Sequence, residues 1–320
     1  MSFLPGDKIL HLSTIYEAMG AVLQYLADTN EQLSVVRVDV EYPLSDDDLV
    51  AAVERAIEAE EAREDGLVGG RIKFALVDAL SSAPGVRVPF DRLIKLLRQH
   101  NILSLIDGAH SIGQIPLDLQ ELSPDFFVTN CHKWLYSARG SAVLYVPKRW
   151  QASVHPTSIG FGYKFKDFQA AFEWPGTMDF SSYLTIPAAL DFRASIGGES
   201  HIQTYCHDLA LEGGQLAAKI WGTEMMENAE GTLTASMVNV RLPLTTSVAD
   251  EIYSKQVRYL INTQLKEFRC FANPYRHGGR WWVRMCAQVY NEISDFEFVA
   301  QTFKVLCERL ESVGGDVDKL

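Results

Sequence analysis

Apolar positions along the first part of the chain follow two periods in turn. Lys8–Leu12, Leu33–Val40, Lys73–Asp78, Leu103–Asp107, Phe126–Thr129 and Ser141–Val146 are short runs rich in Val, Ile, Leu and Phe. Turn-forming residues bound them, which predicts strands. Between them the period lengthens. Tyr16–Leu26 and Phe90–His100 carry apolar residues at helical spacing, and Leu49, Val53 and Ile57 form the buried stripe of a further helix. Ser45-Asp46-Asp47-Asp48 opens that helix as a capping box, in which the carboxylate three residues on returns to the cap. The run Glu58–Glu64 is its solvated face. Strand and helix in alternation predict an α/β fold with a doubly wound, mostly parallel sheet, the parallel strands buried on both faces.

The rhythm changes after about Gly197. Helices are expected at Tyr183–Ile196 and Ile202–Ile220, strands at Met237–Pro243 and Trp281–Ala287, and a terminal helix at Asp295–Ser312. This α+β pattern places a domain boundary near residue 195. A large domain over 1–195 and a smaller α+β domain over 196–320 are expected.

Composition narrows the partners. Of 320 residues, 47% are hydrophobic and 22% charged, ordinary for a globular protein. The net charge of −12 argues against nucleic acid and anionic membrane, both of which need basic surface. No apolar run reaches the roughly 18 residues that cross a bilayer. The five cysteines, Cys131, Cys206, Cys270, Cys286 and Cys307, show no metal-ligand or disulfide spacing and fit a reducing compartment. With no leader pattern at the start, a cytoplasmic location is expected.

The candidate chemistry sits at two strand ends. Asp107 closes one buried run, and Lys133 lies just past the next, in Asn130-Cys131-His132-Lys133-Trp134. In parallel sheets ligands bind at the carboxyl ends of strands, so Asp107, His110, His132 and Lys133 are expected to face one crevice. A lysine between a buried strand and Trp134-Leu135 is costly unless it has a partner or a task. Desolvation also favours the neutral amine that imine formation needs. A carboxylate and an amine held together suit pyridoxal 5′-phosphate: the lysine forms the Schiff base, and the aspartate keeps the pyridine nitrogen protonated. Metal binding by Asp107, His110 and His132 matches no common ligand spacing, and no metal is expected. Cys131 reads as a small buried filler rather than a nucleophile.

Three segments carry a resemblance: Asp107-Gly108-Ala109-His110-Ser111-Ile112-Gly113-Gln114, the Asn130–Trp134 run, and Trp174-Pro175-Gly176-Thr177-Met178-Asp179. With Met237–Pro243 and Arg284–Asn291 they resemble the class V aminotransferase family. These are fold-type I pyridoxal-phosphate enzymes that include cysteine desulfurases, isopenicillin N epimerase and hercynylcysteine sulfoxide lyase. The epimerase and sulfoxide-lyase branch is the nearest in flavour. The mobile cysteine loop of desulfurases is not recognisable.

The resemblance implies roles position by position. Lys133 matches the imine-forming lysine and Asp107 the partner of the pyridine nitrogen. His110 matches a donor to the cofactor's phenolic oxygen, and His132 and Asn130 match phosphate contacts. Tyr16 falls where the family stacks a ring on the cofactor, and could also protonate a leaving group. Ser82 lies in a substrate-facing loop, and Arg284 matches the arginine that clamps the substrate carboxylate. Gly176 and Thr177 match a segment that reaches the neighbouring subunit's phosphate, so a homodimer is implied. The expected function is a carbon–sulfur lyase acting on an amino acid. An epimerase or aminotransferase of the same family is the alternative. Relatives also carry an early Gly/Thr-rich phosphate turn, for which the fifteen residues before Tyr16 leave no room. The chain is therefore expected to lack the first strand and helix of the large domain, through either a shortened sequence or a short paralogue. The latter would be a catalytically impaired binding partner.

Overall fold

A computed structural model describes residues 3–62, 70–165, 167–245 and 250–320, with backbone alone at 250–252. It resolves into two compact units. One comprises Met1–Asp39, Leu49–Leu80 and Pro89–Ile196; the other comprises Val40–Asp48, Ser81–Val88 and Gly197–Leu320.

The first unit is built on a six-stranded sheet. Its strands are β1 (Asp7–Leu12), β2 (Leu33–Val38), β3 (Ile72–Asp78), β4 (Leu103–Asp107), β5 (Phe126–Asn130) and β6 (Ala142–Tyr145), in the order β2-β1-β3-β4-β5-β6. The first five run parallel, so their carboxyl ends share one edge. β6 pairs antiparallel with β5, Asn130 opposite Ala142, so the sheet is mostly parallel, as expected. The connection between them holds only a one-turn helix, Cys131–Trp134, too short for a crossover back to a parallel start. On one face, Ile9, Leu23, Leu33 and Leu76 form a buried cluster, so helix Glu17–Thr29 lies on β1, β2 and β3. Helix Phe90–Gln99 buries Phe90, Leu93, Ile94, Leu96 and Leu97, a helical stripe that sits between β3 and β4 in the chain.

Helix Asp46–Glu61 buries Leu49, Val53 and Ile57 as expected. Its cap is half of a capping box: the Asp48 amide donates to Ser45 Oγ at 3.1 Å, while the Asp48 carboxylate accepts from that hydroxyl rather than from the cap's backbone. Of the acidic run, Glu60 pairs with Lys8 and Glu61 meets His100 at 3.0 Å. Its last two residues, 63 and 64, lie outside the described residues. The helix expected over Tyr183–Ile196 is two helices, Ser181–Leu184 and Ile186–Ser195. Pro187, at the start of the second, has no N–H to continue the ladder of the first.

The second unit carries an antiparallel sheet in the order β7-β9-β8, with β7 Met237–Arg241, β8 Asn273–His277 and β9 Arg280–Cys286. Two helices, Gly198–Trp221 and Ile293–Ser312, pack on each other, with the Trp221 indole donating to the Ala300 carbonyl at 2.8 Å. Gly213 permits the approach: a side chain there would collide with Phe296. Among the described residues, no helix is long and apolar enough to cross a membrane.

Candidate active site

Two loops at the carboxyl edge of the first unit carry the chemistry, and the backbone locks them together. After β4 the chain turns sharply at Gly108, whose amide donates to Val128 O at 2.7 Å. Its carbonyl accepts from Thr129 Oγ1 (2.6 Å) and Ser111 Oγ (2.7 Å). A Cβ at Gly108 would strike Phe127 and Ser111. Gly113, at φ +79°, ends the loop, and a Cβ there would lie 2.5 Å from the Trp134 carbonyl oxygen. The glycines of the Asp107–Gln114 segment thus let that loop close against the turn bearing Lys133.

A buried arginine fastens the same pair of loops. Arg193, 1% exposed, donates to Trp134 O at 2.8 Å and to Gly113 O at 3.0 Å. Its guanidinium also lies 4.6 Å from the centre of the Tyr136 ring. The sequence reading missed this residue. A charge on a short helix looks solvated, and only the fold shows that two orphan carbonyls receive it.

The side chains the loops present are close. Lys133 Nζ lies 3.1 Å from His110 Nε2, and the Trp134 indole donates to His110 Nδ1 at 3.1 Å. Asp107 is buried and accepts the Ala109 amide at 2.9 Å through one carboxylate oxygen. Directly opposite it in the parallel register stands Asp78, also buried, at the end of β3. Register partners point to the same sheet face, so the two carboxyl groups share one side. Burial and then the Asp107 charge push the Asp78 carboxyl well above the usual carboxylate range; Lys133 and the Asp78 backbone amide pull it back only in part. Asp78 is the second residue that motif reading missed. Its signal, a strand closed by an aspartate, is weak until the register shows which strand it faces.

Other candidates stand apart. His132 gives its Nδ1 hydrogen to Ser141 O at 3.0 Å, so only the imidazolium could offer Nε2 as a donor to a phosphate. Asn130 occupies the cap position of the one-turn helix without spending its side chain on the cap. Cys131 is fully buried, and burial raises its thiol pKa, which suits a filler. Tyr16 follows β1 at the same sheet edge and is 53% exposed. Gly176 (φ +146°) and Thr177 lie on an irregular, partly exposed stretch. In the second unit Arg284 Nη1 donates to Ser82 O at 2.5 Å and reaches Ser82 Oγ at 3.3 Å. Its Nε is buried and finds no hydrogen-bond acceptor among the described residues. Gly85 makes room for the Arg284 stem and is held by Asn239 through both amide groups, at 3.0 and 2.9 Å.

An amine, an acid and an imidazole stand at the carboxyl edge of the parallel strands, and the fold is that of fold-type I enzymes. Residues 50–253 match the model of the family "Aminotransferase class-V", and the chain belongs to that family. It is similar to the L-cysteine desulfhydrase-like protein lolT1 of Epichloe uncinata, 35% identical over 97% of this chain and 76% of that protein. It is also similar to the hercynylcysteine sulfoxide lyase of Schizosaccharomyces pombe, 31% identical over 94% of this chain and 74% of the lyase. Among solved structures, the cystine C-S lyase C-DES with cysteine persulfide shares the fold at a TM-score of 0.75 and 17% identity, covering 95% of this chain and 76% of that one. The family's cofactor is pyridoxal 5′-phosphate, which a C-DES variant carries linked to glycine. The residues here fit it: a buried carboxylate, a second carboxyl that burial favours as the neutral acid, and a lysine amine with a donor beside it.

Proposed function

We propose that this chain is a pyridoxal-phosphate-dependent carbon–sulfur lyase acting on a sulfur-containing amino acid. The observation that carries the reading is the meeting of Lys133 Nζ and His110 Nε2 at 3.1 Å, beside the strand end that bears Asp107. The names of the desulfhydrase-like and sulfoxide-lyase relatives support sulfur chemistry. When bound, the cofactor supplies an electron sink that makes the substrate's α-hydrogen acidic and lets a β-substituent leave.

The chain's own groups would do the rest. Lys133 would hold the cofactor through its Nζ and, when freed, would be the base for the substrate's α-proton. Asp107 would pair with the pyridine nitrogen and favour a proton there. His110 would offer its Nε2 hydrogen to the phenolic oxygen. His132, Asn130, Gly176 and Thr177 are assigned to the phosphate, the last two across a homodimer interface. Arg284 is assigned to the substrate carboxylate, with its buried Nε as a spare donor and Ser82 beside it. The Tyr16 phenol is assigned the proton for the departing sulfur, and its exposure leaves it able to reach a ligand.

The test is product analysis. Purified protein with pyridoxal phosphate and L-cysteine, cystine or a cysteine S-conjugate should release a sulfur product, pyruvate and ammonia. Racemised amino acid with no pyruvate would favour an epimerase, and amino transfer to an oxo acid would favour an aminotransferase. No turnover by a cofactor-loaded chain would leave the binding-partner reading.

A further inference from the structure

We propose that Trp134 is a positioning residue that fixes the tautomer of His110 and, through it, keeps the Lys133 amine ready for attack. The inference rests on the pyridoxal-phosphate reading above and adds a residue to it. The indole nitrogen of tryptophan is a donor and nothing else. It lies 3.1 Å from His110 Nδ1, which must therefore accept, and the neutral imidazole carries its hydrogen on Nε2. That nitrogen faces Lys133 Nζ at 3.1 Å. An ammonium has only donors to offer, so it would meet a second donor there, whereas a free amine has the lone pair to accept.

The charged and titratable groups around this pair come from several elements. Asp107 ends β4 and Asp78 ends β3; the Lys133 charge pulls the Asp78 carboxyl toward its ionised form, while burial and the Asp107 charge favour its neutral acid. Arg193 holds the Trp134 carbonyl from behind and stacks on Tyr136, while His132 turns its Nδ1 to Ser141. Arg193 also ties the Trp134 backbone to that of Gly113, which fixes the main chain from which the indole projects. The His110 and Trp134 rings meet edge-on, centroids 6.5 Å apart, which brings the indole N–H to the imidazole edge. The same Nε2 hydrogen would be available to the phenolic oxygen of a bound cofactor. Capture would join Nζ to the aldehyde carbon, with the two amine hydrogens and the carbonyl oxygen leaving as water, so the nucleophile would have to be neutral from the outset.

The experiment uses the full chain and Trp134→Phe, which keeps an aromatic ring and removes the donor. Capture of pyridoxal phosphate at Lys133 is trapped with borohydride, assigned by peptide mass, and followed as a rate against pH. Nitrogen-15 spectra of histidine-labelled protein without cofactor report the His110 tautomer, assigned with His110→Ala. The expected result is His110 as the Nε2–H tautomer in the parent and a mixed or reversed population in Trp134→Phe. The capture profile should move up by about one pH unit, about tenfold slower near neutrality, and converge with the parent at high pH. Trp150→Phe, which removes an indole donor to Asp125 elsewhere in the unit, should lower stability and leave the profile in place. Superimposed profiles, a uniform slowing at all pH, or an Nδ1–H tautomer in the parent would each overturn the proposal. Absence of any capture by the parent would instead overturn the cofactor reading, while the tautomer spectra still judge the Trp134 contact on their own.

Discussion

The carboxyl edge of β4 and β5 and the stretch from Ile159 to Phe192 belong to the same unit, yet they are built on opposite terms. At the strand edge, polar groups meet partners from the same chain: Gly108, Gly113, Ser111 and Thr129 close the loops, and Arg193 fastens them. Along the other stretch large apolar side chains face outward, among them Phe161 at 84% and Leu184 at 78% exposure, with Trp174 and Met178 about half exposed. Its aromatics find mainly one another, as in Trp174 against Phe180 at 5.5 Å. The loops of the first region are closed by this chain's own contacts. The second has the character of a surface that another molecule covers, which is where the homodimer reading would put a second subunit.

Perturbing the first region should therefore cost the isolated chain much, and perturbing the second little. Arg193→Ala leaves two buried carbonyls unpaired and a cavity, and should cost about 3–5 kcal/mol in denaturant unfolding. Gly113→Ala sets a Cβ at φ +79° against the Trp134 carbonyl, and should cost about 2–4 kcal/mol and slow capture of the cofactor. Asp78→Asn tests the paired carboxyls through pH. Because the Asp78 carboxyl is raised in the folded chain, its contribution to stability is full below the ordinary carboxylate range and is lost as pH rises through the raised value. The asparagine variant lacks that loss, so its stability should gain on the parent as pH rises from the ordinary carboxylate range, which denaturant unfolding at a series of pH values checks. Phe161→Ser should change the chain's stability by less than about 0.5 kcal/mol. Its effect should appear in sedimentation as a weaker self-association. A large loss of monomer stability there would erase the contrast.

The same contrast explains what the sequence could tell. Asp107, Lys133 and the strands that end at them were legible because burial on both faces forces continuous apolar runs, and the polar residue that ends each run stands out. The glycines that lock the site were legible as a motif, though not as contacts. Asp78 and Arg193 were not, nor was the contact of Trp134 with His110, for one physical reason: each acts across the sheet or between loops, and the register that sets the partner is not written locally. β8 escaped notice because Asn273-Pro274-Tyr275-Arg276-His277 is short, carries a proline and is an edge strand, where no alternating pattern is imposed. A mostly parallel sheet was legible in the rhythm of strands, while which strand runs antiparallel depends on the length of one connection, and no local pattern marks that.

The central claim is that Lys133 is the residue that binds the cofactor covalently at this edge. The most direct measurement is to incubate the chain with pyridoxal phosphate, reduce with borohydride and map the labelled peptide. The account predicts one modified residue, Lys133, with the visible absorbance of the unreduced adduct lost in Lys133→Ala. Labelling spread over surface lysines, or an undiminished band in that variant, would contradict it.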